Sequence, residues 1–196
     1  MTRASDDPVR RIALVGMMGT GKSTVAARVA STLGWTCIDV DALIEARTGR
    51  AISDIFATDG EAAFRALEAD VATDVLGDGV LGDAAVTGQR PTGAVVALGG
   101  GAVLTPSTRD RLADCDAVVW LHAQPAVLAR RLAGDTSRPL LAGDPLARLA
   151  ALAAEREGIY RIVATHDIDV SELGLDDVVT RIVDIATAAA SHGELH

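Results

Sequence analysis

Short apolar runs alternate along this chain with longer stretches in which apolar residues recur at helical spacing. The apolar runs predict strands at Arg11–Val15, Thr36–Val40, Ala94–Leu98, Ala117–Leu121 and Ile168–Val170. The helical stretches predict helices at Ser23–Ala30, Asp41–Arg47, Glu61–Leu76, Pro106–Ala113, Pro125–Ala133, Pro145–Ala164 and Leu175–Ala190. Strands that alternate with helices are typical of an α/β protein, in which helices cover both faces of a parallel sheet. Ligands of such sheets bind at the carboxyl ends of the strands.

The loop after the first predicted strand carries the clearest chemical signal. Gly16–Ser23 fits the phosphate-binding pattern G-x-x-x-x-G-K-[ST] and lies between a strand and a helix, as that motif requires. Lys22 is the only lysine in the chain, although arginine is abundant. A site that needs a compact ammonium on phosphate oxygens explains this exception, because the guanidinium of arginine is a planar fork. We therefore expect nucleotide binding here rather than an ordinary glycine-rich turn.

Two carboxylates follow the second predicted strand. Alternation along that strand is expected to place Asp39 and Asp41 on the same side of it. Beside bound ATP, one carboxylate can hold Mg²⁺ through water and the other can accept a proton from a substrate hydroxyl. An exposed strand end that caps the next helix is at least as good an interpretation, since aspartate is a favoured N-cap residue.

Arginines on two predicted helices are candidates for binding a substrate carboxylate. Arg65 shares one helical face with Glu61 and Glu68, and Arg156 lies late in the Pro145–Ala164 helix. An arginine fork binds a carboxylate through two parallel hydrogen bonds. The alternative for both arginines is a solvated charge on a helix surface, which is the commoner arrangement on an arbitrary helix.

Two further loops carry glycines or arginines. Gly99–Gly101 directly follow the third predicted strand, where close backbone approach and exposed N–H donors suit a ligand. A tight strand-to-helix turn is the alternative. Arg130, Arg131 and Arg138 flank Gly134–Ser137. A mobile segment with arginines near phosphates is typical of a kinase lid, and a surface loop with solvated charges is the alternative.

Composition narrows the classes of function. The 196 residues favour a single domain over 1–196, and a net charge of -9 argues against general binding to nucleic acid or to a membrane surface. Cys37 and Cys115 lie in apolar stretches without metal-ligand spacing, so we expect both to be buried and reduced in a cytoplasmic protein. No apolar run approaches the roughly 18 residues of a membrane span, and the polar start is unlike a signal peptide. The glycine-rich residues 77–93 are expected to form a flexible surface loop.

In this order, these residues resemble the shikimate kinase family, small P-loop kinases of aromatic amino-acid biosynthesis. The resemblance covers about residues 11–164 and rests on the P-loop, Asp39–Asp41, Gly60–Glu68, the triple glycine, the Arg-Pro-Leu-Leu stretch at Arg138, and Arg156 with Tyr160. It implies the three-layer fold of the nucleoside-monophosphate kinases, with a five-stranded parallel sheet, helices on both faces, a core over 11–187 and a mobile lid over about 133–144. It also implies transfer of the ATP γ-phosphate to the 3-hydroxyl of shikimate, with one Mg²⁺ per subunit. We expect the protein to be a monomer.

The resemblance assigns roles to individual residues. The ATP-binding residues that it implies are Gly19, Thr20, Gly21, Lys22, Ser23, Thr24, Arg131 and Arg138. Ser23 and Asp39 would hold Mg²⁺, with Asp39 acting through water. The shikimate-binding residues that it implies are Asp41, Arg65, Gly100, Gly101 and Arg156. Lys22, Asp41 and Arg138 would be the catalytic residues, with Asp41 as the candidate base.

The chain departs from the family pattern in three places. The loop at 77–93 is longer than usual, Gly158 stands where the family often has proline, and Val170–Gly174 replaces a polar, basic adenine loop. Another small-molecule kinase of this fold, such as a gluconate kinase, is one alternative, because paired arginines suit a carboxylate on either substrate. The triple glycine and the Asp-Val-Asp placement favour shikimate. A nucleotide-binding homologue without catalytic activity is the other alternative.

Overall fold

The computed structural model describes residues 10–77, 92–133 and 144–192. Its strands are β1 (Arg10–Val15), β2 (Thr36–Asp39), β3 (Gly93–Ala97), β4 (Ala117–His122) and β5 (His166–Asp169). They form one five-stranded sheet in the order β2-β3-β1-β4-β5, and every neighbouring pair is parallel. The predicted five-stranded parallel sheet is thus confirmed, with strand ends that differ by one or two residues from those expected.

All seven predicted helices are confirmed, and the structure adds one more at Ile52–Thr58. The helices are α1 (Lys22–Leu33), α2 (Val40–Thr48), α3 (Ile52–Thr58), α4 (Gly60–Leu76), α5 (Pro106–Leu112), α6 (Pro125–Arg131), α7 (Pro145–Val163) and α8 (Leu175–His192). Three of them begin at a proline, whose fixed φ suits the first turn of a helix. At the start of α7, the Asp144 carboxylate also accepts the Leu146 N–H at 3.0 Å. Proline and cap signals therefore explain why these helix starts are readable in the sequence.

Helix α3 was not among the predicted helices, so the sequence prediction is wrong at this segment. The helix has 7 residues, or two turns, which is too short for a clear hydrophobic period. Gly49 and Gly60 on either side of it have φ values of +65° and +83°, left-handed conformations that favour glycine. Ile55 is fully buried, so tertiary packing stabilises this helix.

Helices cover both faces of the sheet, and each face has its own apolar core. On one face, Leu14 and Val95 pack with Val29 of α1 and Ile182 of α8. On the other face, Ala13 and its neighbours pack beneath helices α2 to α7. Adjacent residues of β1 thus contribute to opposite faces, as strand alternation requires. Because the central strands are buried on both faces, they are almost continuously apolar, which made them predictable.

The prediction that both cysteines are buried is wrong for Cys37. Cys37 is exposed, because it lies on β2 at the edge of the sheet. Cys115 is half-buried, and this burial raises the pKa of its thiol to about 12. Both thiols are free.

Two other predictions fall largely outside the described residues. These are the lid at about 133–144, which includes Arg138, and the loop at 77–93. Gly93, predicted to end that loop, is the first residue of β3, where the Trp35 ring lies against it.

The longest helices described, α7 and α8, have 19 and 18 residues, and both carry charged side chains. Within the described ranges, no helix combines the length and apolarity needed to cross a membrane.

Candidate active site

The loop between β1 and α1 has a backbone geometry that only glycine adopts readily. Gly16, Gly19 and Gly21 have φ values of +140°, +81° and +88°. A Cβ added to Gly16 would lie 2.1 Å from the carbonyl oxygen of Leu121. The loop therefore lies directly against the end of β4. The strand, loop and helix order that the motif requires is confirmed.

Lys22 opens α1 and folds back over the loop. Its Nζ donates to the carbonyl oxygens of Gly16 at 2.8 Å and of Met17 at 3.0 Å. The ammonium thus lies on the loop that precedes α1, and because a helix N-terminus also favours negative charge, this positive corner suits phosphate. Ser23 and Thr24 are exposed at the same helix start.

Thr20 has a different place from the other predicted ATP-binding residues of the loop. Its side chain is buried, and its hydroxyl donates to the carbonyl oxygen of Met17 at 2.8 Å. Its own N–H also points to that oxygen, at 3.4 Å. Thr20 therefore shapes the loop from within.

The two aspartates after β2 belong to different elements. Asp39 ends β2 and caps α2, where its carboxylate accepts the Ala42 N–H at 3.1 Å. Asp41 lies in the first turn of α2, so the expectation that strand alternation puts both on one side is wrong. The start of the helix instead directs both residues to the same cavity. Asp39 therefore both caps α2 and lines the cavity, so the two interpretations of this residue are compatible.

Arg65 on α4 lies between two glutamates. Its Nη1 donates to Glu68 at 2.6 Å and its Nη2 to Glu61 at 3.2 Å. The side chains of Arg65, Glu68 and Glu61 are 17%, 1% and 52% exposed. The shared helical face is confirmed, but a solvated ladder of charges is excluded because the inner pair is buried beside the cavity.

Glu68 is a site residue to which the sequence analysis assigned no role. A Cβ added to Gly99 would lie 2.1 Å from Glu68 Oε1 and 2.9 Å from Asp41 Oδ1, so both carboxylates face this glycine. Burial raises the pKa of Glu68, the Arg65 guanidinium opposes this, and Asp41 raises the pKa further. Among the described residues, none forms a hydrogen bond with Glu68 Oε1. A buried acceptor of this kind suits a hydroxyl or water of a bound ligand.

The raised pKa of Glu68 predicts a specific dependence of stability on pH. The native protein holds this proton more tightly than the unfolded chain does, so this group lowers the free energy of unfolding as the pH rises above about 4.5. Glu68→Gln removes the titration. We expect the stability of the variant relative to wild type to increase as the pH rises above about 4.5, as measured by urea unfolding.

Asp59→Asn is the matched control for that experiment. Arg50 and Thr58 hold the pKa of Asp59 below its usual 3.8. The stability that Asp59 contributes is therefore present above that pH and is lost only as the pH falls below it. The difference between Asp59→Asn and wild type should stay constant over the range tested. If the difference in unfolding free energy between Glu68→Gln and wild type stayed constant with pH, the pKa of Glu68 in the wild-type protein would not be raised.

The three glycines after β3 leave room for neighbouring side chains of the site. Gly99 faces the two carboxylates described above, and a Cβ added to Gly101 would lie 2.2 Å from Arg65 Nη1. The next residues form a 3₁₀ turn, Ala102–Leu104. Arg109 closes this turn by donating to the carbonyl oxygens of Val103 and Leu104, both at 2.8 Å. Crowding by side chains of the site therefore explains the glycines at 99 and 101, which a simple tight turn would not require.

Helix α7 brings two buried polar side chains to the carbonyl oxygen of Gly100. Arg156 donates to it from Nη1 at 3.2 Å, and the Tyr160 hydroxyl donates to it at 2.5 Å. Their exposed fractions are 2% and 1%. Arg156 is therefore not a solvated helical charge, although its neighbours Glu155 and Glu157 are exposed.

Arg131 connects α6 to the chain segment after β5. Its Nη2 donates to the carbonyl oxygen of Val170 at 2.6 Å. Both Arg130 and Arg131 are exposed, but only Arg131 borders the cavity. The backbone of the altered segment at 170–174 thus forms a hydrogen bond with Arg131, the arginine predicted to lie against adenine.

Most of these groups line one cavity of about 560 Å³ at the carboxyl ends of the strands. That volume lies in the range of small-molecule sites. Of the predicted site residues, the cavity is lined by Gly19, Gly21, Lys22, Ser23, Thr24, Asp39, Asp41, Arg65, Gly100, Gly101, Arg131 and Arg156. Residues that were not predicted also line it, among them Glu68 and, from α3, Ile52, Ser53 and Phe56.

The chain matches, over residues 18–187, a protein-family model described as Shikimate kinase. It belongs to the shikimate kinase family. The shikimate kinase of Halorhodospira halophila is 47% identical over 176 residues, which cover 89% of this chain and 92% of that relative. The shikimate kinase of Thermobifida fusca is 46% identical and covers 81% of this chain and 84% of its own length.

Solved structures agree with this assignment. The shikimate kinase of Acinetobacter baumannii, solved in complex with shikimate, superposes with a TM-score of 0.80 at 30% identity, over 92% of this chain and 94% of that one. A gluconokinase from Sinorhizobium meliloti superposes with a TM-score of 0.56 at 21% identity over 95% of this chain and 98% of that one, a likeness of fold alone. The P-loop kinase fold and the enzyme class expected from the sequence are confirmed.

Two signals in the sequence point to the residues that were missed in this shikimate kinase family member. Glu68 stands three positions after Arg65, the spacing of a helical ion pair, but its burial is invisible in the sequence. In α3, Ile52, Ile55 and Phe56 follow helical spacing over a stretch too short to be recognised.

Proposed function

We propose that this chain acts as a Mg-dependent shikimate kinase, which transfers the γ-phosphate of ATP to the 3-hydroxyl of shikimate and releases ADP. The observation that carries the proposal is a single cavity with a phosphate-binding loop in one part and two arginines, Arg65 and Arg156, in another. The A. baumannii relative solved with shikimate supports the same substrate.

On the nucleotide side, Lys22 and the loop amides of Gly19 to Thr24 bind the β- and γ-phosphates. The positive corner at the start of α1 supports this assignment, since backbone amides and the helix terminus favour negative charge there. Arg131, held by the Val170 carbonyl, lies against the adenine. Arg138 neutralises the transferring phosphate from the lid, although it lies outside the described residues.

Ser23 and, through water, Asp39 would hold Mg²⁺. Both residues line the cavity next to the phosphate-binding loop, and hydroxyl and carboxylate oxygens are the ligands that this ion prefers. Within the described ranges, no three His, Cys, Asp or Glu residues are grouped to hold a metal by themselves. This fits an ion that takes most of its ligands from nucleotide phosphates and water. When bound, the ion neutralises phosphate charge.

On the acceptor side, Arg65 and Arg156 bind the shikimate carboxylate. Both guanidinium groups are largely removed from water, which strengthens a charge-assisted hydrogen bond. Gly100 and Gly101 offer backbone contacts to the ring. Asp41 orients the 3-hydroxyl and accepts its proton as the bond to phosphorus forms. Phosphoryl transfer asks the protein mainly for positioning and charge stabilisation, which these residues supply.

Gly101→Ala is expected to raise the KM for shikimate by about tenfold, because the new Cβ would lie 2.2 Å from Arg65 Nη1 and displace the guanidinium. Steady-state kinetics with each substrate varied in turn measures this change. Gly158→Ala is the control, since nothing lies within 4 Å of a Cβ added there on α7. It should leave the KM unchanged and raise stability by about 0.5–1 kcal/mol. Equal shikimate KM values for the two variants would contradict this account of Gly101.

The proposed activity is tested by ADP release from purified protein with Mg·ATP and shikimate, gluconate or AMP. We expect turnover with shikimate alone. Turnover with gluconate instead would retain the nucleotide site and overturn the substrate. ATP binding without ADP release from any acceptor would favour a homologue without catalytic activity.

A further inference from the structure

Tyr160 has no part in the function described so far, yet its hydroxyl is buried against Gly100, a residue that lines the cavity. The side chain is 1% exposed, and its hydroxyl donates to the Gly100 carbonyl oxygen at 2.5 Å. Burial raises the pKa of this phenol, against the opposing effect of Arg156, so the group stays a neutral donor. A buried phenol generally has a hydrogen-bond partner, and here the partner belongs to the triple glycine.

The ring of Tyr160 is itself held in place. It stacks on Trp120 of β4, with ring centroids 5.7 Å apart and an angle of 18° between the ring planes. Trp120 also contacts His122, with 4.6 Å between ring centroids, and the Arg161 guanidinium, which lies 6.0 Å from the Trp120 ring centroid. The hydroxyl is therefore directed by a packed aromatic pair fixed to the sheet.

The Gly100 residue lies between α7 and the phosphate-binding loop. A Cβ added to Gly100 would be 3.4 Å from both the carbonyl oxygen of Gly16 and the backbone nitrogen of Met18. On its carbonyl side, Gly100 accepts hydrogen bonds from Tyr160 and Arg156. Gly100 therefore contacts both the loop proposed to bind ATP and the α7 side chains next to the proposed shikimate site.

The direction of the Gly100 carbonyl also sets the direction of the Gly101 N–H donor. The peptide bond is planar, so the N–H of Gly101 belongs to the same rigid unit as the Gly100 C=O and points the opposite way. A carbonyl held toward α7 keeps that N–H directed away from α7. Gly101 is the residue that lies against the Arg65 guanidinium.

We propose that Tyr160 is a positioning residue for phosphoryl transfer, which holds the Gly100–Gly101 peptide and the Arg156 guanidinium in the arrangement that receives shikimate. This inference rests on the function proposed above. Without the hydroxyl, the Gly100 carbonyl retains the longer bond from Arg156, and the peptide and the guanidinium are free to shift together. Misplacement of a binding group by a fraction of an ångström weakens substrate binding strongly.

The test is Tyr160→Phe, which removes one oxygen atom and keeps the ring on Trp120. We expect the shikimate KM, and the shikimate Kd from calorimetry, to rise roughly tenfold. The ATP KM should stay within about twofold of wild type, because the contacts of the phosphate-binding loop are unchanged. This split separates positioning of the acceptor from a general loss of active protein.

Thr165→Val is the matched control, because it also removes one structural hydroxyl. The Thr165 hydroxyl accepts the Val118 N–H at 2.9 Å and donates to the Val118 carbonyl at 3.1 Å, where β5 joins β4. This variant should lose stability in thermal unfolding and keep the wild-type KM for shikimate.

Wild-type shikimate affinity in Tyr160→Phe would overturn the inference, and so would a rise in KM of the same size in Thr165→Val. Wild-type protein that binds no shikimate would instead overturn the proposed function on which the inference rests. Calorimetry on wild type therefore distinguishes the two failures.

Discussion

Lys22→Met should lower kcat by about a thousandfold or more, with little change in the folded structure. Lys22 Nζ is the compact cation of the phosphate-binding loop, where it lies between the carbonyl oxygens of Gly16 and Met17. Charge that develops on the transferring phosphate would meet no ammonium in the variant. Methionine keeps the length of the side chain, so α1 should retain its start. Single-turnover ADP formation with saturating Mg·ATP and shikimate measures the loss.

Two controls make the Lys22 result specific. Lys22→Arg restores the charge as a planar fork, and we expect it to recover only a small part of the activity. Arg28→Ala removes one positive charge from an exposed pair with Asp176, in which the side chains are 58% and 86% exposed, and should leave kcat unchanged. If Lys22→Met retained more than about a tenth of wild-type kcat, the role of the ammonium in transfer would be refuted.

Arg65→Ala should raise the KM for shikimate by about a hundredfold, while the KM for ATP changes little. The variant removes one fork from the proposed carboxylate site. It also leaves Glu68, whose side chain is 1% exposed, without its 2.6 Å partner. A buried carboxylate without its partner destabilises the folded state, so the variant should also unfold at a lower temperature than wild type.

A double variant separates the two effects of Arg65→Ala. Adding Glu68→Gln replaces the stranded carboxylate with a neutral group of the same shape. We expect this to restore much of the stability while shikimate binding stays weak. Glu61→Gln is the control, because Glu61 is the exposed partner of the same guanidinium, at 3.2 Å. Recovery of shikimate affinity together with stability would show that Arg65 acts only through folding.

The parts of this protein that were predictable depend on local signals. The glycines of the P-loop, the only lysine and the prolines that open three helices each act within a few residues of the chain. The central strands are apolar on both faces, so their pattern alone identifies them as buried strands. The order of these signals along the chain indicated the shikimate kinase family, and the match to the family model over residues 18–187 confirmed that assignment.

Other features depended on which elements meet in space. Cys37 lies in an apolar stretch of sequence, but β2 is at the edge of the sheet and Cys37 faces solvent. Helix α3 gives too short a pattern to recognise, and packing of Ile55 holds it in place. Strand alternation gave the wrong reason for pairing Asp39 with Asp41, because α2 begins between them.

The sequence by itself determined the sheet, the phosphate-binding loop and the set of charged residues that serve as candidates for the site. The tertiary structure decided which of those charges are removed from water. Nothing local distinguishes the buried Glu68 from the exposed Glu61, since both stand at helical spacing from Arg65. The difference arises because Glu68 faces Gly99 and Asp41, on other elements of the fold. Burial, and with it the pKa of a carboxylate, is set by contacts between residues distant in the chain.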